Sequence, residues 1–332
     1  MLEIGRLKIK NRLILAPMSG VSDLPFRLVN RRFGCEFAFT EMVNVRSLGF
    51  KSIKTKRLLS SLPGDRPLGV QVLAGEEDFL KRGIDILKNY SFDLLDFNAA
   101  CPARKVTRRG EGAALLREPK RLFSLIKILV NESNCPVTVK IRIGWDKQSI
   151  NARDVALLCQ DAGASAIFIH GRTRWQEYTG EPDYKTLEEV KRSLDVPMIA
   201  SGNIFTPQLA KKMFSETGCD GLLVARGAFG NPWIFEQITC FLKKREIKAV
   251  PEPKEVVNTM LDHYRLCLDF YGPRLSVIIF RKFFSWYTRG FRDVRGLRQQ
   301  VNAIKTPEGL IQIIESCLGL ERISKQGLLL KK

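Results

Sequence analysis

Cys101 is placed for chemistry by what surrounds it. Leu94, Leu95 and Phe97 form an apolar run of the length and type of a buried strand, and Asn98 follows. Pro102 comes directly after the cysteine, and Arg104, Lys105, Arg108 and Arg109 put four cations into six residues. A thiol delivered at the end of a buried strand beside a cationic loop is a reactive group on a rigid support. The plain alternative is a small buried cysteine before a solvated loop. It gives no reason for an Asn, a Pro and a basic cluster at one strand exit.

Other residues able to do chemistry also sit at strand ends. Lys140 and Arg142 alternate in VTVKIRI, so a strand there puts both on one face. Lys140 in a barrel mouth could form a Schiff base or supply charge to a bound anion. Gln71 interrupts the apolar LGVQVL and offers an amide that can pair with both a carbonyl and an N–H of a heterocycle. Pro17, Met18 and Ser19 supply backbone near where such a ring would lie, and His170 ends another apolar run. Ser201-Gly202-Asn203 and Ala225-Arg226-Gly227 each follow a strand and precede a helix, the arrangement that holds phosphates in barrels. A phosphate site, a ring-pairing Gln and a Lys together describe a flavin mononucleotide (FMN) site. Gly110-Glu111-Gly112 lacks the third glycine of a dinucleotide fingerprint and is set aside.

The elements that must position these groups alternate in type. Strands are expected at Arg12–Ala16, Phe37–Thr40, Leu68–Leu73, the run from Leu94 to Phe97, Val137–Ile143, Ala166–Ile169, Pro197–Ala200 and Gly221–Val224, with helices between them. Eight short apolar strands over about 230 residues fit a closed (β/α)8 TIM barrel better than a doubly wound sheet. The polar candidates fall at or near the carboxyl ends of these strands, where such barrels keep their active sites.

From Lys243 to Pro253 the chain is charged and proline-punctuated, and helical spacing follows from about Lys254. The expected organisation is a barrel over residues 1–242 and a small all-α domain over 254–332. Between Arg274 and Arg298 the tail carries seven cations against the single acid Asp293, with Phe283, Phe284, Trp286, Tyr287 and Phe291 interleaved. Such a mixture suits phosphate contacts and base stacking. The alternative makes the aromatics core and the cations a solvated face. The 332-residue chain carries 54 Lys and Arg against 35 Asp and Glu, a net charge of +19, which points to a polyanionic partner such as nucleic acid. Neither a signal peptide nor a membrane-length apolar run is apparent. The eight cysteines contain no CxxC pair, so a metal site is not suggested, and a cytoplasmic protein with reduced thiols is expected.

The segments LAPMSGVSDLPFR, TEMV, GVQVLAG, DFNAACPARKVTRRGEGAALL, VTVKIRIGW, IHGRTRWQEYTG, IASGNI and ARGAFGNPWIF occur in this order between about residue 4 and residue 240. Together they resemble the tRNA-dihydrouridine synthase family, nearest its bacterial B-type subfamily. The tail resembles the family's helical RNA-binding domain more weakly, through Arg281-Lys282 and Trp286-Tyr287. The resemblance implies an FMN-dependent enzyme that uses NADPH or NADH to reduce the C5=C6 bond of specific uridines in tRNA. It makes Cys101 the acid that protonates C5. It makes Pro17, Met18, Ser19, Gln71, Lys140, His170, Ser201, Gly202, Asn203, Ala225 and Arg226 the FMN contacts. Asn98, Arg142, Arg172 and Arg174 are implied contacts to uridine or RNA, and Arg281, Lys282, Arg289, Arg292 and Arg295 are expected RNA contacts of the tail. Two departures stand out: Ala100 replaces the glycine usual before the cysteine, and Phe283 replaces the histidine of an Arg-Lys-His run.

Rival classes make distinct demands. A flavin barrel acting on a small metabolite, such as a dihydroorotate or enoate oxidoreductase, needs no basic tail. A non-catalytic RNA-binding protein needs neither Cys101 nor Lys140. Ribosomal RNA is an alternative substrate to tRNA, since the catalytic residues read only the uridine. A monomer is the favoured state.

Overall fold

The structure, a computed structural model, describes residues 1–49, 53–245 and 251–322. Part of the expected linker, residues 246–250, and the last ten residues of the expected helical domain, 323–332, lie outside them.

The chain opens on a hairpin that sequence reading did not anticipate, β1 (Leu2–Ile4) against β2 (Leu7–Ile9), paired antiparallel. Each strand is only three residues long, too short for a period to stand out. Leu2, Ile4 and Ile9 are buried in one cluster with Ile14, Phe37, Phe39, Leu94, Phe168, Ile199 and Leu223, so the hairpin covers one end of the barrel core.

The barrel strands follow: β3 (Leu13–Leu15), β4 (Phe37–Phe39), β5 (Val43–Asn44), β6 (Leu68–Leu73), β7 (Leu94–Asn98), β8 (Val137–Arg142), β9 (Ala166–His170), β10 (Met198–Ser201) and β11 (Gly221–Val224). Parallel pairing runs β3–β4–β6–β7–β8–β9–β10–β11 and closes on β3. The expected eight-stranded barrel is therefore the observed one. The short β5 follows β4 in sequence and pairs the later half of β6, Val43 opposite Val72.

Inward positions change character along the strands. Leu94, Phe168 and Ile199 belong to the apolar cluster, and the period-two rule puts Asp96, Asn98, His170 and Ser201 on the same inner face, nearer the carboxyl ends. The barrel thus holds an apolar floor beneath a polar mouth. Gly69 of β6 belongs to the floor because a Cβ there would press on the Phe39 ring edge and meet Phe37 at 3.0 Å.

The described chain divides into two compact units, residues 1–24 with 35–227, and residues 25–34 with 228–332. The division lies at 227, where sequence reading put it at 242–254, and the second unit takes part of the helix after β3, Leu24–Arg32. Aromatic packing explains both changes. Phe26 stacks on Phe283 at 5.7 Å, Phe33 meets Trp233 at 5.1 Å, and Phe229 stacks on Trp286 at 4.0 Å. Helices Ile234–Leu242, Pro253–Tyr271, Pro273–Tyr287, Arg295–Ala303 and Pro307–Glu315 complete this unit.

Gly69→Ala should destabilise the barrel by about 1–3 kcal/mol through overpacking against Phe39, as denaturant unfolding would measure. A variant with an unchanged unfolding midpoint would mean that the Phe39 ring gives way freely.

Candidate active site

The Cys101 loop is shaped by Asn98, the last residue of β7. Its Oδ1 accepts the N–H of Ala100 at 3.0 Å and of Cys101 at 2.8 Å, an Asx turn that bends the chain out of the strand. Arg142 Nε holds the Ala100 carbonyl at 2.8 Å, and the Ala113 N–H holds the Cys101 carbonyl at 3.1 Å. Ala100 has a negative φ, so a methyl at this position brings no backbone strain. The segment set aside as a weak fingerprint is a brace. Gly112, at φ +60°, lies where a Cβ would come within 2.8 Å of the Cys101 carbonyl. Buried Glu111 beside it accepts from Asn44 Nδ2 at 3.1 Å. Cys101 itself is half-buried, while Arg104, Lys105, Arg108 and Arg109 are exposed on or beside a single helical turn, Arg104–Thr107.

Behind the loop runs a buried chain of hydrogen bonds. Asn98 Nδ2 donates to Gln71 Oε1 at 2.7 Å, and Gln71 Nε2 donates to Asp96 Oδ2 at 2.7 Å. Thr138 Oγ1 donates to Asp96 Oδ1 at 2.7 Å. The expected uridine contact Asn98 therefore has its amide engaged within the protein, where it positions Cys101. Asp96 was missed from sequence, although it is the one acid in the apolar β7 and shares the parity of Asn98. Burial pushes its carboxyl up to about 7, against the opposing pull of Thr138, Gln71 and the Lys140 charge. Burial, with the Arg142 charge, draws Lys140 down to about 8.

The other side of the mouth is built around His170. It is buried, and burial together with the charges of Arg142, Lys140, Arg172 and Arg226 holds it well below the ordinary imidazole range. Arg172 Nη1 lies 3.2 Å from His170 Nε2. A guanidinium only donates, so Nε2 accepts and Nδ1 carries the proton. Arg172 also donates to Asn203 Oδ1 at 2.8 Å, to Thr179 O at 3.0 Å and to the Gly180 carbonyl. Arg142 donates to Thr173 O and Glu177 O, both at 2.8 Å. These two arginines, expected to touch RNA, are at most 2% exposed and bind backbone carbonyls. Arg174 differs: its guanidinium lies 4.8 Å from the Trp145 ring centre.

Gly202 has φ +136° and Asn203 +52°, so the chain turns sharply directly after β10. Among the described residues, neither N–H has a protein acceptor. Gly227 packs directly on the Ile204 carbonyl with no room for a Cβ, which joins the two expected phosphate loops. Arg226 lies beside Phe205 and Tyr178, with centroid distances of 5.3 and 5.0 Å. Free N–H groups next to a guanidinium are the donor set a phosphate requires, so these loops fit the phosphate end of FMN. Ser201 donates its hydroxyl to Ile169 O at 3.3 Å. Pro17, Met18 and Ser19 form the loop after β3, where Ser22 Oγ accepts the Met18 N–H at 2.9 Å, and Ala225 and Met18 pack against the apolar floor. Among the described residues, no cluster of His, Cys, Asp and Glu could hold a metal, and no helix is long and apolar enough to cross a membrane.

The tail candidates belong to the second unit. Arg281 donates to Ile304 O at 3.0 Å, Lys282 lies 4.8 Å from the Phe283 ring centre, and Arg292 pairs with Glu321 at 2.8 Å. Arg289 and Arg295 are exposed. Phe283, where the family pattern has His, is fully buried against Phe26 and His263, so it is core.

The Asp96 titration gives a test. Its folded pKa lies above its unfolded value of 3.8, so the native chain binds the extra proton between the two. Its stabilising share is complete below about pH 4 and is lost as pH rises towards about 7. Asp96→Asn should flatten the stability decline across that window in denaturant titrations at successive pH values. Parallel wild-type and variant curves would remove the titration from Asp96.

Comparison with known proteins agrees with this geometry. The family model described as dihydrouridine synthase (Dus) matches residues 14–322. The chain is 38% identical to tRNA-dihydrouridine synthase B of Pseudomonas aeruginosa over 91% of each protein, and 33% identical to that of Pasteurella multocida over 98% of each. Among solved structures, histamine dehydrogenase from Rhizobium sp. 4-9 superposes with a TM-score of 0.56 at 12% identity, covering 80% of this chain and 50% of that one, a likeness of fold. With the family pattern running through both the Cys101 loop and the phosphate loops, the chain belongs to the dihydrouridine synthase family.

Proposed function

We propose that this protein reduces the C5=C6 bond of uridines in tRNA, with FMN as its cofactor and NADPH or NADH as the electron source. One observation carries the reading: the backbone of Cys101 and the amide of Gln71 are held by the same Asn98 side chain. With Cys101 as proton donor and Gln71 beside the flavin, this link would fix the two partners of the reduction relative to one another, which the reduction of a flat heterocycle requires.

When bound, the flavin supplies hydride to C6 of the uracil. The phosphate end would be held by the Gly202 and Asn203 N–H groups and Arg226, and the ring end by Gln71 and Lys140, with Pro17, Met18 and Ser19 beside it. Charge grows on O4 and C5 of the uracil as the C6–H bond forms. Cys101 then gives its thiol proton to C5, and the thiolate regains a proton from water. The cations gathered about neutral His170 favour that developing negative charge. The base must leave the RNA stack to reach this depth, at a cost of a few kcal/mol. Basic surfaces of the barrel and the helical unit offset that cost by binding phosphates. A cytoplasmic setting, where tRNA and reduced nicotinamide meet, follows from the same chemistry.

The protein as purified should be yellow and release FMN on denaturation. With NADPH and unmodified tRNA transcripts it should form dihydrouridine, detected by nucleoside mass spectrometry. Loss of this product with tRNA and its appearance only with ribosomal RNA would change the substrate. Cys101→Ala should keep FMN and its reduction by NADPH while dihydrouridine formation falls about 10²-fold or more, the loss expected for a general acid. Turnover at the wild-type rate would end the role of Cys101.

Reversing the charges of Arg289, Arg292 and Arg295 together should weaken tRNA binding and flatten its salt dependence, since each phosphate contact releases roughly one counterion. An unchanged salt slope would make those cations a solvated face and nothing more.

A further inference from the structure

Three of the large hydrophobic side chains exposed on the described surface lie on two neighbouring loops, those after β8 and β9: Ile150 at 44% exposure, Trp175 at 65% and Tyr178 at 52%. The loops are joined by backbone bonds, Arg174 N–H to Gly144 O at 2.9 Å and Trp175 N–H to Trp145 O at 3.0 Å. They are also fixed to the catalytic loop. One guanidinium, that of Arg142, holds Thr173 O, Glu177 O and Ala100 O, the residue before Cys101. Trp175 therefore sits on a loop tied by hydrogen bonds to the loop that carries the thiol.

Cations surround these aromatics. Arg174 lies 4.8 Å from the Trp145 ring centre and 5.7 Å from that of Trp175, and Arg117, exposed, lies 5.0 Å from the Trp145 ring centre. Tyr178 sits between Arg142 and Arg226, at 5.6 and 5.0 Å. Both aromatics lie on the loop after β9: the Tyr178 ring sits 6.3 Å from that of His170 at the mouth, and Trp175, three residues earlier, is the more exposed of the two.

An indole left two-thirds in water, with the Arg174 guanidinium against it and further arginines on the neighbouring Trp145 and Tyr178, matches an anionic partner with flat apolar faces. Single-stranded RNA has this chemistry: its bases stack on aromatics without regard to sequence, and its phosphates pair with the cations alongside. We propose that Trp175 stacks on an unpaired base adjacent to the target uridine, so that the neighbour is held on the rim while the uridine enters the mouth. This deepens the reading of the protein as an RNA-modifying enzyme and rests on it.

The test compares the full-length wild type with Trp175→Ala and Trp175→Phe, using unmodified tRNA transcripts as the probe. Flavin content equal to wild type shows that each variant is folded. Trp175→Ala should raise Kd and KM about tenfold, as loss of one stacked base does, with kcat changed much less. The slope of log Kd against log salt should stay at the wild-type value, because no phosphate contact is lost. Trp175→Phe should recover most of the affinity. Unchanged Kd in Trp175→Ala would overturn the proposal, as would a change confined to the salt slope or to self-association in sedimentation. A wild type that binds tRNA but forms no dihydrouridine would count against the enzymatic reading alone, and the affinity comparison would still decide the stacking.

Discussion

The buried carboxyl of Asp96 is the constraint on which the mouth of this barrel depends. It is the acceptor that fixes which way the Gln71 amide points, and Gln71 in turn fixes Asn98, whose oxygen holds the Cys101 backbone. An amide flipped anywhere along the chain would face a donor with a donor in a site that water does not reach. Each such mismatch costs about 1–3 kcal/mol, and buried networks are sharply oriented for that reason. The orientation of the Cys101 loop is thus set from within its own strand, β7, by a residue that acts through Gln71 of the neighbouring β6 and has no hydrogen bond to Cys101 itself.

Charge gives the same site its preference for an anion. Arg142, Lys140, Arg172 and Arg226 bear on a single buried imidazole. Asp96 acts on Lys140, and burial resists the ionisation of Asp96 itself. Arg142 and Arg172 bind backbone carbonyls, so each buried guanidinium is hydrogen-bonded although, among the described residues, it has no ion-pair partner. In the proposed reaction, a bound phosphate and a developing enolate would both relieve the remaining excess of positive charge. Binding and chemistry would then draw on one electrostatic arrangement.

The arginines also show how one residue type divides between support and surface. Arg142 and Arg172 are interior struts, Arg174 rests on indole rings, and Arg289 and Arg295 remain in water. In the helical unit the aromatics divide similarly. Phe283, Phe284 and Tyr287 are core, whereas Trp286 is half-buried against Phe229. The mixed aromatic and basic composition of that stretch is thus mainly the composition of a packed core with a charged exterior.

The sequence by itself determined the barrel, because eight apolar runs of strand length alternating with helices leave few ways to bury a parallel sheet. It also determined where polar groups gather, since residue identity at a strand's carboxyl end is readable without coordinates: Cys101, Lys140, His170, Asn203 and Arg226 were all legible. Partners were not. Asp96 looked like one acid in an apolar run, and only the register of β6 against β7, Gln71 opposite Asp96, gives it its role. Arg142 and Arg172 looked like ligands for RNA until the loops they brace were in place. The hairpin β1–β2 and the helix after β3 have buried faces that local pattern announces weakly or not at all, and which core they join depends on contacts distant in sequence. Local sequence specifies which side chains want burial or charge neutralisation; the long-range pairing of strands and rings decides what satisfies them.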